Sequence, residues 1–285
     1  MPKLVTLATL TAALLFSFLS ARAAVAGEPS ARIVDLETPL ESHQPLQAYL
    51  RQPDSTAPLP AVVLLHGCNG NFKRLDERWG RRVAGWGYVT LTLDSFGPRG
   101  IDNTCASNAP VDLAFDAYRA LNYLAGLPFV DSARVVLLGF SQGGWLALSS
   151  LERGVIEQTA RHRFRAGIAF YPPCKGFKDD MTVPTLILIG ESDDWTPAQD
   201  CRDMVEGRDG FGISRERGVG VPARLIVYPG AYHAFDVPSL QIPRNYLGHH
   251  LEYNETATEQ SIEAVRDFLA SMIGGKDDPR TKPDR

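Results

Sequence analysis

The sequence ARVVLLGFSQGGW, at residues 133–145, decides the fold of this chain. Its first half contains the apolar run 135–138, which is typical of a short strand buried on both faces of a sheet. Its second half leads directly into a helical segment. Gly139, Ser141 and Gly143 lie between the two halves in the spacing Gly-x-Ser-x-Gly. The stretch therefore predicts a strand, a sharp turn and a helix in immediate succession.

This turn has a steric requirement that explains its residues. A strand that turns at once into a helix forces Ser141 into a strained backbone conformation, and the flanking positions must lack side chains for the turn to close. The turn exposes the hydroxyl and directs the N–H of Gln142 toward the same point. A serine between glycines can also be a plain loop residue, but the strand before it and the helix after it indicate a nucleophile. We therefore interpret Ser141 as the nucleophile.

The overall composition is that of a globular protein. The chain has 285 residues, of which 44% are hydrophobic and 22% are charged, and one α/β domain can reach this length. The net charge of −4 provides no basic surface for nucleic acid and no polybasic patch for a membrane. We therefore expect no nucleic-acid partner, and the sequence does not indicate an oligomeric state.

The first residues differ in composition from the rest of the chain. Lys3 is followed by an apolar run over residues 4–19 and by Ala-Val-Ala at residues 24–26. A charged start, an apolar segment and a small-residue cleavage site are typical of a secretory signal peptide. A membrane anchor is the alternative, but the apolar run is near the short limit for crossing a bilayer. We predict a signal peptide over residues 1–26.

Removal of the signal peptide leaves a domain over residues 27–273 and a polar tail over residues 274–285, which we expect to be disordered. The protein would then be periplasmic or secreted, with no stable membrane anchor. An even number of cysteines in such an oxidising compartment indicates disulfide bonds, although four buried thiols are the alternative. The four cysteines lack the spacing of a zinc site and permit three pairings: Cys68, Cys105, Cys174 and Cys201.

Apolar strands alternate with helical segments along the chain. The predicted strands are residues 32–39, 47–51, 61–65, 88–93, 135–138, 166–171, 185–189 and 224–228. The predicted helices include residues 111–127 and a closing helix from about Thr256 to Ile273, where Thr256 and Glu259 fit a capping box. This alternation predicts an α/β fold with a mostly parallel central sheet and helices on both faces. Function in such sheets gathers at the carboxyl ends of the strands.

A serine nucleophile needs a base, and the base needs a third group that fixes its tautomer. In the chain order of α/β-hydrolases, the acid follows the serine and the histidine comes last. His233 directly follows the last core strand, whereas no predicted strand positions His249 or His250. We therefore predict that His233 is the base.

The acid is expected in the loop GESDDWTP at residues 190–197, which follows a predicted strand. Asp193 and Asp194 are adjacent there, and spacing alone does not choose between them, because either can cap the following helix. The oxyanion of the reaction needs backbone N–H donors. Gln142 supplies one, and Cys68 is the candidate for the other, because Gly67 permits close approach of the backbone.

Four motifs together resemble the dienelactone hydrolase family, and the likeness covers nearly all of the chain after the signal peptide. The motifs are HGC at residues 66–68, GFSQGG at residues 139–144, GESDDWTP at residues 190–197 and YHAF at residues 232–235. The resemblance implies an α/β-hydrolase fold and favours Asp193 as the acid. The name-giving members use a cysteine nucleophile and lack a signal peptide, whereas this chain has Ser141.

The resemblance implies a serine hydrolase that cleaves a small-molecule ester or lactone through an acyl-enzyme, without a metal or other cofactor. The loop arrangement that it implies motivates the disulfides Cys68–Cys105 and Cys174–Cys201. A peptidase or acyltransferase on the same scaffold, or a binding protein that kept the fold, is the alternative. Five aromatic loop residues are candidates for lining an apolar substrate pocket, with packing in the core as the alternative for most of them: Phe96, Phe140, Tyr171, Trp195 and Phe235. Arg99 is a candidate for contacting a substrate carboxylate, and an exposed loop residue without a role is the alternative.

Overall fold

The chain folds around one eight-stranded sheet, as seen in a computed structural model. The structure describes residues 29–36, 46–106, 113–154, 157–158, 160–178, 180–207 and 220–274. The predicted signal peptide and residues 275–285 of the predicted tail lie outside the described residues. Within the described part of the chain, no helix combines the length and the hydrophobicity that crossing a bilayer requires.

Six strands of the sheet are parallel, and two antiparallel strands extend one edge. The strand order is β1-β2-β4-β3-β5-β6-β7-β8. The bounds are β1 Ala31–Leu36, β2 Leu46–Arg51, β3 Leu59–Leu65, β4 Val89–Asp94, β5 Val130–Phe140, β6 Ala166–Phe170, β7 Thr185–Gly190 and β8 Ala223–Tyr228. The parallel strands β3, β6 and β7 read as nearly continuous apolar runs because both faces of the sheet are covered.

Helices connect the parallel strands and pack on the sheet. Their bounds are α1 Phe72–Leu75, α2 Arg81–Gly85, α3 Leu113–Ala125, α4 Gln142–Leu151, α5 Ala198–Glu206 and α6 Glu255–Ile273, with a π-helical turn at Asp76–Gly80 between α1 and α2. The helix α4 lies on β5 and β6 and contacts α3, while α6 contacts β5 and β7. The carboxyl ends of β3, β5, β7 and β8 thus deliver four loops to the same edge of the sheet.

The predicted strands are confirmed with shifted ends, the largest being the start of β5 five residues early, while residues 37–39 of the first predicted strand lie outside the described residues. Two local predictions were wrong. The helix α6 is capped by Asn254, whose side chain accepts the N–H of Ala257 at 2.9 Å. Asparagine is among the strongest N-cap residues, so the helix begins before the predicted capping box. The histidines His249 and His250 lie on a strand after all, in the hairpin of β9 Arg244–Tyr246 and β10 His249–Leu251.

Candidate active site

Ser141 occupies the turn between β5 and α4, as the sequence predicted. Its φ is +54° and its ψ is −117°, a conformation that costs free energy for any residue with a side chain. The two flanking glycines make the turn possible. A Cβ at Gly139 would collide with the carbonyl oxygen of Gly143, and a Cβ at Gly143 would collide with the carbonyl oxygen of Leu65. The turn therefore packs directly against the end of β3.

A buried histidine and a buried carboxylate lie in line with Ser141. The Ser141 Oγ is 3.0 Å from Nε2 of His233, which follows β8, and Nδ1 of His233 is 2.8 Å from Oδ2 of Asp193, which follows β7. Because a carboxylate only accepts, Nδ1–H donates to Asp193 and leaves Nε2 free to accept the serine hydroxyl. Asp193 also accepts the Thr196 hydroxyl at 2.8 Å and the N–H groups of Trp195 and Thr196, which fixes its position.

The neighbouring carboxylate, Asp194, has a different position and different partners. It is exposed, accepts the N–H of His250 at 3.2 Å and lies 3.6 Å from Nδ1 of His249. It therefore attaches the β9–β10 hairpin to the loop after β7. The geometry brings Asp193 and not Asp194 to His233, which spacing alone could not decide.

The loop after β3 approaches the serine closely. A Cβ at Gly67 would lie 3.4 Å from the Ser141 Cβ, so the backbone at this residue lies beside the turn. His66 braces the loop: its Nδ1–H donates to the carbonyl of Gly67 at 2.8 Å, and its Nε2 accepts the N–H of Ser95 at 3.3 Å. Burial lowers the pKa of His66, so the ring stays neutral and keeps both bonds.

Two disulfides tie down the loops at this edge of the sheet. They are Cys68–Cys105 and Cys174–Cys201, the pairing that the loop arrangement of the sequence analysis favoured. In the chain-entropy model, loops of this length stabilise a fold by about 3.5 to 4 kcal/mol each. The first disulfide joins the loop after β3 to the segment that follows β4.

The segment that carries Cys105 makes further contacts with both predicted oxyanion residues. The N–H of Thr104 donates to the carbonyl of Cys68 at 2.8 Å, and its hydroxyl donates to the side-chain oxygen of Gln142 at 2.7 Å. Asn103 accepts the N–H of Cys105 at 2.7 Å. We call residues 103–105 the clamp segment, because they connect the loop after β3 to the first residue of α4.

A cavity of about 370 Å³ opens beside Ser141 and His233. Of the aromatic residues proposed for a pocket, Phe140, Tyr171 and Trp195 line it. The β9–β10 hairpin forms another wall. The cavity is therefore large enough for a small organic substrate at the serine.

Two of the proposed aromatic pocket residues, Phe96 and Phe235, are core residues instead. Phe96 is buried and packs edge-on against the ring of His66 at 4.5 Å. Phe235 is fully buried against Tyr171 at 5.6 Å and Tyr228 at 5.2 Å. The free energy gained by burying a large apolar ring draws both side chains inward, away from the cavity.

Arg99 was also wrongly predicted to line the pocket. Its guanidinium makes a two-point ion pair with the buried Asp116, at 2.5 and 2.7 Å, and is therefore engaged inside the fold. Three other arginines line the cavity: Arg74, Arg78 and Arg244. Among its described lining residues there is no carboxylate, although Arg78 is paired with the buried Asp236.

Sequence reasoning missed a buried network below the histidine. Asp236 accepts the hydroxyl of Tyr171 and the indole N–H of Trp79, both at 2.7 Å, and pairs with Arg78 at 3.0 Å. The ring of Tyr171 lies 4.7 Å from that of His233. Burial, with the Asp236 charge as a second cause, raises the pKa of Tyr171 well above its usual value, so it remains a donor. The only sequence signal is an aspartate three residues after His233.

The arrangement of Ser141, His233 and Asp193 at one edge of a mostly parallel sheet defines an α/β-hydrolase. Solved structures agree on the fold: a dienelactone hydrolase from Klebsiella pneumoniae superposes with a TM-score of 0.65 at 19% identity, covering 85% of this chain and 99% of that one. A thermophilic esterase from Thermogutta terrifontis superposes with a TM-score of 0.62 at 18% identity, covering 89% and 96%.

The sequence comparisons identify the family. The profile of the dienelactone hydrolase family matches residues 46–273. A Synechocystis protein that carries the name carboxymethylenebutenolidase is 23% identical over 266 residues, which cover 84% of this chain and 99% of the relative. The chain belongs to the dienelactone hydrolase family, and it is a hydrolase of ester bonds.

Proposed function

We propose that this protein hydrolyses small-molecule carboxylic esters or lactones through an acyl-enzyme on Ser141. His233 Nε2 takes the hydroxyl proton as Oγ attacks the carbonyl carbon, and then donates that proton to the leaving alcohol oxygen. Asp193 holds the Nδ1–H tautomer and stabilises the imidazolium. Water then attacks the acyl-enzyme with His233 again acting as the base, which releases the acid and restores the serine.

The negative charge on the carbonyl oxygen is stabilised in this proposal by the N–H groups of Gln142 and Cys68. Gln142 is the first residue of α4, and the N–H groups at a helix N-terminus have no partner inside the helix. Cys68 follows Gly67, the residue whose backbone lies beside Ser141. Each donor of this kind typically contributes a few kcal/mol to the stability of the transition state.

The observation that carries the proposal is the continuous relay from Ser141 Oγ to His233 to Asp193, with both distances at or below 3.0 Å. A binding protein that merely kept the fold has no use for a strained serine aligned with a buried base. A peptidase or acyltransferase would use the same relay, so turnover of simple esters with water as the acceptor separates these alternatives from the proposal.

Labelling with a fluorophosphonate probe tests the proposed nucleophile directly. The probe phosphonylates a serine only when a neighbouring base activates it, so we expect stoichiometric labelling and a mass shift on the peptide that contains Ser141. Heat-denatured protein is the control and should remain unlabelled. Turnover of p-nitrophenyl butyrate should fall in proportion to the labelled fraction. Absence of labelling together with absence of turnover would favour the binding protein.

A second prediction concerns the clamp segment, which we propose to hold both oxyanion donors in position. Replacing Cys68 and Cys105 together by serine leaves every backbone N–H in place but removes the cross-link. We expect kcat to fall about tenfold with KM little changed, less than the loss of 10²- to 10³-fold typical when a whole donor is removed. The Thr104→Val variant should show a smaller fall of the same kind.

The other disulfide provides the matched control for this prediction. Replacing Cys174 and Cys201 by serine removes a cross-link of similar loop length, yet neither cysteine lines the cavity. Both double variants should lose similar stability in urea unfolding, because the loop entropies are similar. Equal loss of kcat in the two variants would show that the effect is on stability and not on the oxyanion site.

We also propose that the chain is exported, with residues 1–26 as a signal peptide, residues 27–273 as the hydrolase domain and residues 274–285 as a tail. The two disulfides support a periplasmic or secreted location, because such bonds persist in oxidising compartments. Determination of the N-terminal sequence of protein recovered from a periplasmic extract tests this assignment. A chain that still begins at Met1 would contradict it.

A further inference from the structure

A second cavity opens on another side of Ser141. It has a volume of about 700 Å³ and is more open to solvent than the first cavity. Ser141, Trp195 and the Cys68–Cys105 disulfide line both cavities. A carbonyl carbon attacked by Ser141 would therefore lie where the two cavities meet, and the two halves of an ester would extend into different ones.

Two indole rings line the second cavity, which we call the tryptophan trough. Trp145 lies one turn into α4, and its backbone N–H donates to the carbonyl of Ser141 at 2.9 Å. Long side chains on a helix lean toward its N-terminus, which directs this indole toward the turn that holds Ser141. The side chain of Trp145 is 41% exposed, with its ring 6.3 Å from that of the buried Phe177, so part of the indole faces the cavity. The other indole belongs to Trp195.

Two hydroxyl groups of the trough are already bonded within the protein. The hydroxyl of Thr104 donates to the side-chain oxygen of Gln142 at 2.7 Å. The hydroxyl of Thr196 donates to Asp193 at 2.8 Å. A hydroxyl-rich group such as a sugar would have to compete with these internal bonds. The two indoles instead favour a flat aromatic ring, because aromatic pairs gain from offset or edge-on stacking beyond the burial of area.

We propose that the tryptophan trough is a substrate subsite that binds an aromatic ring, and that Trp145 determines this specificity. This proposal rests on the proposed ester hydrolysis at Ser141. One half of the substrate occupies the arginine-lined cavity, and the other half carries the ring into the trough. The natural substrate class is therefore an ester or lactone with an aromatic group attached on one side of the reacting carbonyl.

Steady-state kinetics with three esters test the proposal. Two of the esters carry an aromatic ring and are called the ring esters: 2-naphthyl acetate has the ring on the alcohol side, and methyl 2-naphthoate has it on the acyl side. The third, ethyl acetate, has no ring. For Trp145→Ala, we expect KM to rise about five- to tenfold for at least one ring ester, as the loss of one aromatic contact implies. The kcat of Trp145→Ala for the ring esters, and both its kcat and its KM for ethyl acetate, should stay within about twofold of the wild-type values. The Trp145→Phe variant should retain most of the affinity for the ring esters, because phenylalanine keeps an aromatic ring.

The matched control is Phe115→Ala. Phe115 lies on α3, is 42% exposed and lines neither cavity, so all its constants should equal those of the wild type. Each ester is compared only between proteins, which removes the different intrinsic reactivities of the esters. An equal rise of KM for ring and ringless esters, or no change for either, would overturn the proposal.

Binding of 2-naphthol separates the subsite from the chemistry. In the Ser141→Ala background, calorimetry should show that Trp145→Ala weakens binding of 2-naphthol at least fivefold, whereas Phe115→Ala leaves it unchanged. If the wild type hydrolyses no ester but this dependence holds, the proposed function fails and the subsite stands. If esters are hydrolysed but binding does not depend on Trp145, the subsite proposal fails.

Discussion

Turnover of p-nitrophenyl acetate and butyrate is expected to collapse when either Ser141 or His233 is replaced by alanine. Each replacement removes an essential member of the relay, and such a loss typically lowers kcat on the order of 10⁶-fold. The remaining activity should exceed the spontaneous rate, because substrate binding and the N–H groups of Gln142 and Cys68 persist. The double variant should be no slower than either single variant, because the two residues act as one unit.

The folded state of these variants must be checked alongside the rates. His233 is buried between Asp193 and the ring of Tyr171, so its replacement leaves a buried carboxylate without its partner. Circular dichroism and urea unfolding of both variants provide this control. A folded Ser141→Ala protein that retains more than a hundredth of the wild-type rate would refute the assignment of the nucleophile.

The Asp193→Asn variant is expected to lose about 10⁴-fold in kcat, the typical effect of substituting the orienting aspartate of such a relay. An amide that donates to Nδ1 favours the tautomer in which Nε2 carries the proton, and that nitrogen can no longer accept the serine hydroxyl. Thr196 would keep the side chain in place, so the overall structure should change little. The kcat values for p-nitrophenyl butyrate measure the effect.

The adjacent residue provides the control for this substitution. Asp194→Asn makes the same chemical change one residue later, at an exposed carboxylate that contacts His249 and His250 of the β9–β10 hairpin. Its kcat should stay within about twofold of the wild type, as is usual for a surface substitution. Similar losses in the two variants would mean that the loop as a whole, and not the Asp193 contact, supports the base.

The parts of the site that could be predicted from the sequence depend on local backbone rules. Gly139 and Gly143 around Ser141 identify the turn because only glycine fits there, and the chain order of acid and base identifies His233. The choice between Asp193 and Asp194 is not local, because adjacent residues share one loop. The family resemblance favours Asp193, and the distance of 2.8 Å from its Oδ2 to Nδ1 of His233 then separates it from Asp194.

The wall of the cavity could not be predicted because it depends on tertiary contacts. Arg99 is held by Asp116, a partner 17 residues away on another element, which no local pattern reveals. Phe96 and Phe235 share loops with the active-site residues but turn into the core. The β9–β10 hairpin escaped prediction because strands of three residues are too short to show an alternation. The tryptophan trough likewise emerges only when α4 and the loop after β7 are placed together.

The Cys68–Cys105 disulfide makes the kcat of the enzyme depend on a step after synthesis, the oxidation of these two thiols. Ser141, His233 and Asp193 are positioned by the sheet and by hydrogen bonds, and a precursor with reduced thiols would keep these supports. That precursor would still lack the covalent connection between the clamp segment and the loop that carries the Cys68 N–H. Under the proposed export, the last increase in kcat, about tenfold, would therefore come only when the thiols of Cys68 and Cys105 are oxidised.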